Sequence, residues 1–97
     1  MRISVIDICG QSRVSRDDGA KLRDEIERLW SDDEVLEIDF EAEPIASVSF
    51  LDEAIAALAL HHPVELLKRR LRMVNLVDGD RRLLNTQINA RARLRAA

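Results

Sequence analysis

The chain has 97 residues, 46% hydrophobic and 34% charged, with only three Gly, two Pro and three aromatics, which suits one compact core spanning residues 1–97 and leaves no length for a second lobe carrying a cofactor. A single Cys excludes an intramolecular disulfide framework, and that Cys with the adjacent pair His61 and His62 supplies no spaced set of metal ligands; neither zinc nor any other cofactor is expected. The net charge of −3 conceals a split after Leu67, because residues 1–67 hold 6 Lys+Arg against 16 Asp+Glu while residues 68–97 hold 9 against 2.

Residues 3–9 (Ile-Ser-Val-Ile-Asp-Ile-Cys) are β-branched and partly alternating and stop at Gly10, so they predict a first strand. Ser15, with Asp18 three places on, forms a variant capping box and predicts a helix start. Leu22, Ile26, Leu29 and Trp30 then recur at helical spacing on one face, and Ser31, Asp32 and Asp33 end the helix. Residues 35–40 alternate in part and predict a second strand, parallel to the first across a right-handed crossover. A loop holding Pro44 leads to a second helix with Ser49 as N-cap, Asp52 and Glu53 in its first turn, and Leu51, Ala54, Ile55, Leu58 and His62 on its apolar side. Pro63 breaks that helix, and residues 64–70 read as a short amphipathic one. A third strand over residues 71–77 ends in an Asp78-Gly79-Asp80 turn, and a last helix carries Leu84, Ile88 and Ala92 inward, with Arg91, Arg93 and Arg95 near its end. The order is βαβαβα, a small single-domain α/β fold with a mostly parallel sheet covered by helices.

Two stretches carry a resemblance. Residues 15–23, Ser-Arg-Asp-Asp-Gly-Ala-Lys-Leu-Arg, are similar to a "TR..G..L" helix start, and Ile38-Asp39-Phe40 with Ile45 to Glu53 resembles an "LDF…I..SF.DE" core. Together they resemble the small prokaryotic STAS-like domains of unknown function, DUF4325, over about residues 3 to 90. More distantly they resemble the STAS domains of anti-sigma-factor antagonists. That resemblance implies a regulatory module that binds a histidine-kinase-like ATPase by protein–protein interaction and partner switching. It also implies phosphorylation of the helix-capping serine, which position by position is Ser49. The Ser47-Val48-Ser49-Phe50 run stands where the antagonists carry Asp-Ser-Ser-Gly or a near variant.

The residues themselves support a binding surface better than a reaction. Phosphate on a helix N-cap meets free amides and the positive dipole end, although Asp52 and Glu53 would repel it. Asp39 closes the second strand at its carboxyl end, where open α/β sheets place ligands, and Ser47, Ser49 and Asp52 are expected to gather near it. Arg16 stands inside a helix start, where a cation gains nothing from the dipole and is free to serve a contact. The candidate partner surface is therefore Arg16, Asp39, Ser47, Ser49, Phe50, Asp52 and Glu53. No G-x-S-x-G turn selects a nucleophile, no Gly-rich loop cradles phosphate, and Cys9 reads as a buried strand-end residue, so the chain is not expected to be an enzyme.

Nucleic-acid binding through Lys68, Arg69, Arg70, Arg72, Arg81, Arg82, Arg91, Arg93 and Arg95 is the alternative. The three aromatics, all at core positions, and the acidic total weigh against it. No basic segment followed by an apolar run opens the chain, and no stretch nears the roughly 18 apolar residues of a membrane span, so a cytoplasmic protein without a membrane partner is expected. The edges of a three-strand sheet leave room for a homodimer.

Overall fold

Ser4 ends the first strand early. In the computed structural model, which describes residues 1–10, 14–31, 33–44 and 47–96, β1 covers only Arg2–Ser4 and a helix, α1, follows over Val5–Cys9. The strand expected through Cys9 is thus corrected. Ser4 Oγ accepts from the Asp7 N–H at 3.3 Å, Asp7 lies in the first turn, and Gly10 closes the helix at φ 66°, ψ −145°. Those end signals outweigh β-branched propensity, and they bury Val5 and Cys9, four residues apart, on one face.

Helix α2 spans Arg16–Leu29 with the capping box expected of Ser15 and Asp18. Ser15 Oγ accepts from Asp18 N at 3.1 Å, and Ser15 N donates to Asp18 Oδ2 at 3.3 Å. Leu22 and Ile26 are fully buried, and Trp30 stacks on the His62 ring at 4.4 Å between centroids. Strand β2 is Leu36–Asp39, within the expected range. Ser47, not Ser49, caps the next helix, α3, over Val48–Ala54: its Oγ accepts from the Ser49 N–H at 3.1 Å. Two serines two places apart offer the same local signal, and the earlier cap brings Phe50 and Leu51 together into the core. Helix α3 then tightens into a 3₁₀ segment over Ala56–Leu60, in which Ala56 to Ala59 are buried all round.

Pro63 stands at the head of α4, Val64–Arg70, which runs directly into β3, Leu71–Val74. The expected strand to Val77 and turn at residues 78–80 are corrected as well. The turn comes at Asn75, in left-handed conformation at φ 56°, and Asp78–Ala96 form α5 with Asp78 and Asp80 in its first turn, where acids suit the dipole.

The three strands lie parallel in the order β1-β2-β3, with Ile3 opposite Ile38 and Ile38 opposite Met73. The period-2 alternation puts Ile3, Leu36 and Ile38 in the core beneath the helices and sends Arg2, Glu37 and Arg72 to the other face. There Glu37 lies 3.8 Å from Arg2 and 3.9 Å from Arg72, a charged ladder facing water. Phe40, Phe50, Leu51, Ile55 and Leu58 complete the buried centre. Among the described residues no helix is long and apolar enough to cross a membrane.

Helices α2 and α3 meet at Gly19. A Cβ there would stand 2.7 Å from the Phe50 carbonyl oxygen, 3.0 Å from Glu53 Cβ and 3.2 Å from the Ala54 nitrogen. Gly79, in the first turn of α5, has nothing within 4 Å of that position. Gly19→Ala is expected to destabilise by about 1–3 kcal/mol despite alanine's better helix propensity, because backbone must move. Gly79→Ala is expected to be neutral or to stabilise by up to about 1 kcal/mol. Urea denaturation of the two variants checks the opposite signs.

Candidate functional site

Gly19 on α2 has Arg16 one turn before it and Arg23 one turn after, so both arginines share its face and arrive over α3. Arg16 Nη1 donates to Asp52 Oδ2 at 3.1 Å and lies 3.6 Å from Glu53 Oε1. Arg23 pairs with Glu53, to both its carboxylate and its carbonyl oxygen. From α5, Arg91 grips Asp52 with two donors, Nη2 to Oδ2 at 2.6 Å and Nε to Oδ1 at 3.2 Å. Asp52 thus ties three helices together. Its side chain is 15% exposed, against 25% for Arg91 and 52% for Arg16, so Arg91 is the tighter, more enclosed partner.

The Arg91 hydrogen bond holds the Asp52 carboxyl below the usual aspartate range, against the opposing pull of desolvation, and Arg16 adds to the lowering. The same contact with Asp52 raises the Arg91 guanidinium above its ordinary value. Asp52 and Glu53 lie beyond the first turn of α3, since Ser47 begins the helix two residues sooner than expected. Their charges therefore answer arginines, not the helix dipole.

Ser47 and Ser49 stand at the start of α3, both half-buried, with Val48 between them 60% exposed. Gln87 Nε2 of α5 donates to the Val48 carbonyl at 3.0 Å and fixes this start from the other side. Phe50 is fully buried, so its side chain belongs to the core beneath this surface.

Asp39 belongs to a different group at the carboxyl ends of the strands. Its Oδ1 accepts from Asn75 Nδ2 at 3.0 Å and from Glu41 N at 2.8 Å, and these bonds, Asn75 first, lower its pKa. Ser4 Oγ donates to the Glu41 carboxylate, and Ala42 N donates to the Asn75 carbonyl at 2.9 Å. Glu41, Ala42 and Asn75 all take positive φ, 55°, 62° and 56°. The hydrogen bonds of Asp39 thus go to Glu41 and Asn75, while Arg16, Asp52 and Glu53 are joined in the other group.

Arg23, Glu41 and Asn75 carry these two groups without a site role in the sequence reading, which places Arg91 only in the nucleic-acid alternative. Asn75 had a usable signal, an asparagine directly after a strand. The arginine partners lie 30 and 39 positions from their acids, which only the fold reveals. Among the basic residues of the nucleic-acid alternative, Arg91 is taken up by Asp52 and Arg72 faces Glu37.

Residues 18–81 match the family described as a STAS-like domain of unknown function, DUF4325. The chain belongs to this family. The match covers about two thirds of the chain and includes Asp39, Ser47, Ser49, Asp52 and Glu53; Arg16 and Arg91, the two arginines on Asp52, fall outside it. It is narrower than the resemblance over residues 3 to 90. No curated protein and no solved structure matches the STAS-like chain.

The arginine clamp has a pH signature. With the folded pKa of Asp52 depressed, its stabilisation is fully present above the unfolded aspartate value of about 3.9 and is lost as pH falls through the lower folded value. Asp52→Asn is expected to cost about 1–2 kcal/mol at pH 7, allowing for the partial exposure of Arg16 and Arg91, and to flatten stability below about pH 4 relative to the parent. Thermal melts from pH 7 to pH 2 measure both effects.

Proposed function

We propose that this STAS-like domain is a non-catalytic regulatory module that binds another protein, a histidine-kinase-like ATPase, and exchanges partners under control of phosphate on Ser49. The observation that supports it best is the state of Asp52. Ser49 and Asp52 are three residues apart on one helix and so share a face, yet the Asp52 charge is already answered by Arg91 and Arg16. The repulsion that a phosphate would otherwise meet is thereby reduced.

Arg16 is the looser of the two partners, and a phosphate of about −1.5 to −2 charges on Ser49 offers it a stronger acceptor. Arg91 keeps Asp52 while Arg16 turns to the phosphate. The patch formed by exposed Val48, half-buried Ser49 and exposed Arg16 then changes both charge and shape, which is what a partner would read. The contact surface is Arg16, Ser47, Val48, Ser49, Asp52 and Glu53, with Phe50 supporting it from below. Asp39 acts at a distance, through its bonds to Glu41 N and Asn75 at the carboxyl ends of the strands.

Incubation of the protein with the ATPase and ATP, followed by phosphosite mapping by mass spectrometry, is expected to place phosphate on Ser49. Ser49→Asp and Ser49→Ala are expected to shift partner affinity in opposite directions by roughly tenfold each, about 1.4 kcal/mol, in calorimetric titrations. Equal small losses in both variants would reduce Ser49 to a structural residue.

A further inference from the structure

A second surface lies away from residues 47–53. A groove of about 650 Å³ runs between α4, β3 and α5, with Leu67, Leu71 and Ile88 in its floor and Lys68, Arg72 and Arg81 in its walls. No carboxylate is among the described residues that line it. Strand β3 is an outer strand of the sheet. The Val74 carbonyl accepts from Phe40 N on the β2 side at 2.9 Å, and backbone groups of alternate residues point to opposite neighbours, so the Leu71 carbonyl and the Met73 backbone face the outer edge, while the Leu71 N–H closes α4 on the Leu67 carbonyl. Arg81 Nη2 reaches over that edge and donates to the Met73 carbonyl at 3.3 Å. The groove therefore combines an apolar floor, a backbone edge and a cationic wall.

We propose that this groove docks an extended acidic segment of a partner protein. The segment adds along β3, sets apolar side chains against Leu71 and Ile88, and places its carboxylates against Lys68 and Arg81. Charge complementarity chooses this occupant. A second copy pairing β3 with β3 about a two-fold axis would bring the same cations face to face, a like-charge arrangement that opposes association. Nucleic acid would satisfy the cations but would bring no side chains for the floor. The proposal is independent of the phosphoserine reading, since it uses none of the same residues.

Amide NMR of the isotope-labelled full chain, titrated at low salt with a short peptide alternating aspartate and valine, tests it directly. Shifts centred on Leu71, Met73 and Ile88 are expected, with none from the counterpart that carries lysine for aspartate. The double variant Lys68→Glu, Arg81→Glu changes only exposed side chains and is expected to weaken binding at least about tenfold, with its own spectrum reporting that it is folded. Ser49→Ala is expected to leave peptide binding unchanged. The proposal is overturned by an absence of shifts, by equal binding of the lysine peptide, or by unchanged affinity of the double variant. It is equally overturned where the same amides move on concentrating the protein alone, which assigns the groove to a second copy, or move only with an oligonucleotide.

Discussion

The close approach of α2 to α3 at Gly19 sets the geometry on which the surface depends. With the Phe50 carbonyl where a side chain would otherwise begin, the two helix backbones come nearer than any larger residue allows. Everything on that face of α2 is placed by this contact. Leu22 and Ile26, three and seven residues on, go into the core, while Arg16 and Arg23, one turn to either side, reach Asp52 and Glu53. A wider spacing would carry Arg16 and Arg23 away from these acids and leave Asp52 to Arg91 of α5 alone. The ion pairs are consequences of the packing, and they add direction to an otherwise non-directional apolar contact.

The uneven charge along the chain takes on a meaning once these contacts are considered. The excess of acid in residues 1–67 and of base in residues 68–97 is partly consumed inside the molecule, where Arg91 clamps Asp52 and Arg72 faces Glu37. The bidentate Arg91 contact is the stronger of these, being enclosed and held by two donors, whereas the Arg72 pair at 3.9 Å is exposed and weak. The basic segment thus gives one arginine to the fold and keeps Lys68 and Arg81 at the groove beside β3. The acidic segment keeps its exposed carboxylates on α2 and beyond. One small domain therefore presents two surfaces of opposite character, and its net charge of −3 describes neither.

Much of the fold was legible because several signals agreed at the same place. Ser15 with Asp18, the Leu22 and Ile26 stripe and the Pro63 break each combined local chemistry with periodicity, and each element formed where they pointed. The misreadings lie where one local signal had two solutions. Ser4 reads as part of a β-branched strand until Asp7 and Gly10 are recognised as the ends of a short helix. Ser47 and Ser49 are equally good caps by composition, and the burial of Phe50 against α2 decides between them. Asp78-Gly79-Asp80 looks like a turn, yet the same acids suit a helix start, and Asn75 had already made the turn. Within the site, Arg16, Asp52 and Glu53 were legible from position, but their cross-links through Arg23 and Arg91 depend on how α2, α3 and α5 stack.

The cluster at the carboxyl ends of the strands then acquires a role without needing a ligand. Three non-glycine residues in left-handed conformation, Glu41, Ala42 and Asn75, are costly for Glu and Ala, of order 1–3 kcal/mol each, and persist only where the surroundings over-determine them. Here the surroundings do so: Asp39 accepts from both Glu41 N and Asn75, Ser4 holds the Glu41 carboxylate, and Ala42 N closes on the Asn75 carbonyl. These bonds fasten the chain leaving β2 to the chain leaving β3. Gln87 holds the Val48 carbonyl at the start of α3. A helix of only seven residues, too short to be stable alone, is thereby held at its start by hydrogen bonds and along its side by arginines. Ser49 sits in the first turn of that helix, between its capped start and its arginine-held side, and of the two arginines on Asp52 the more exposed is Arg16.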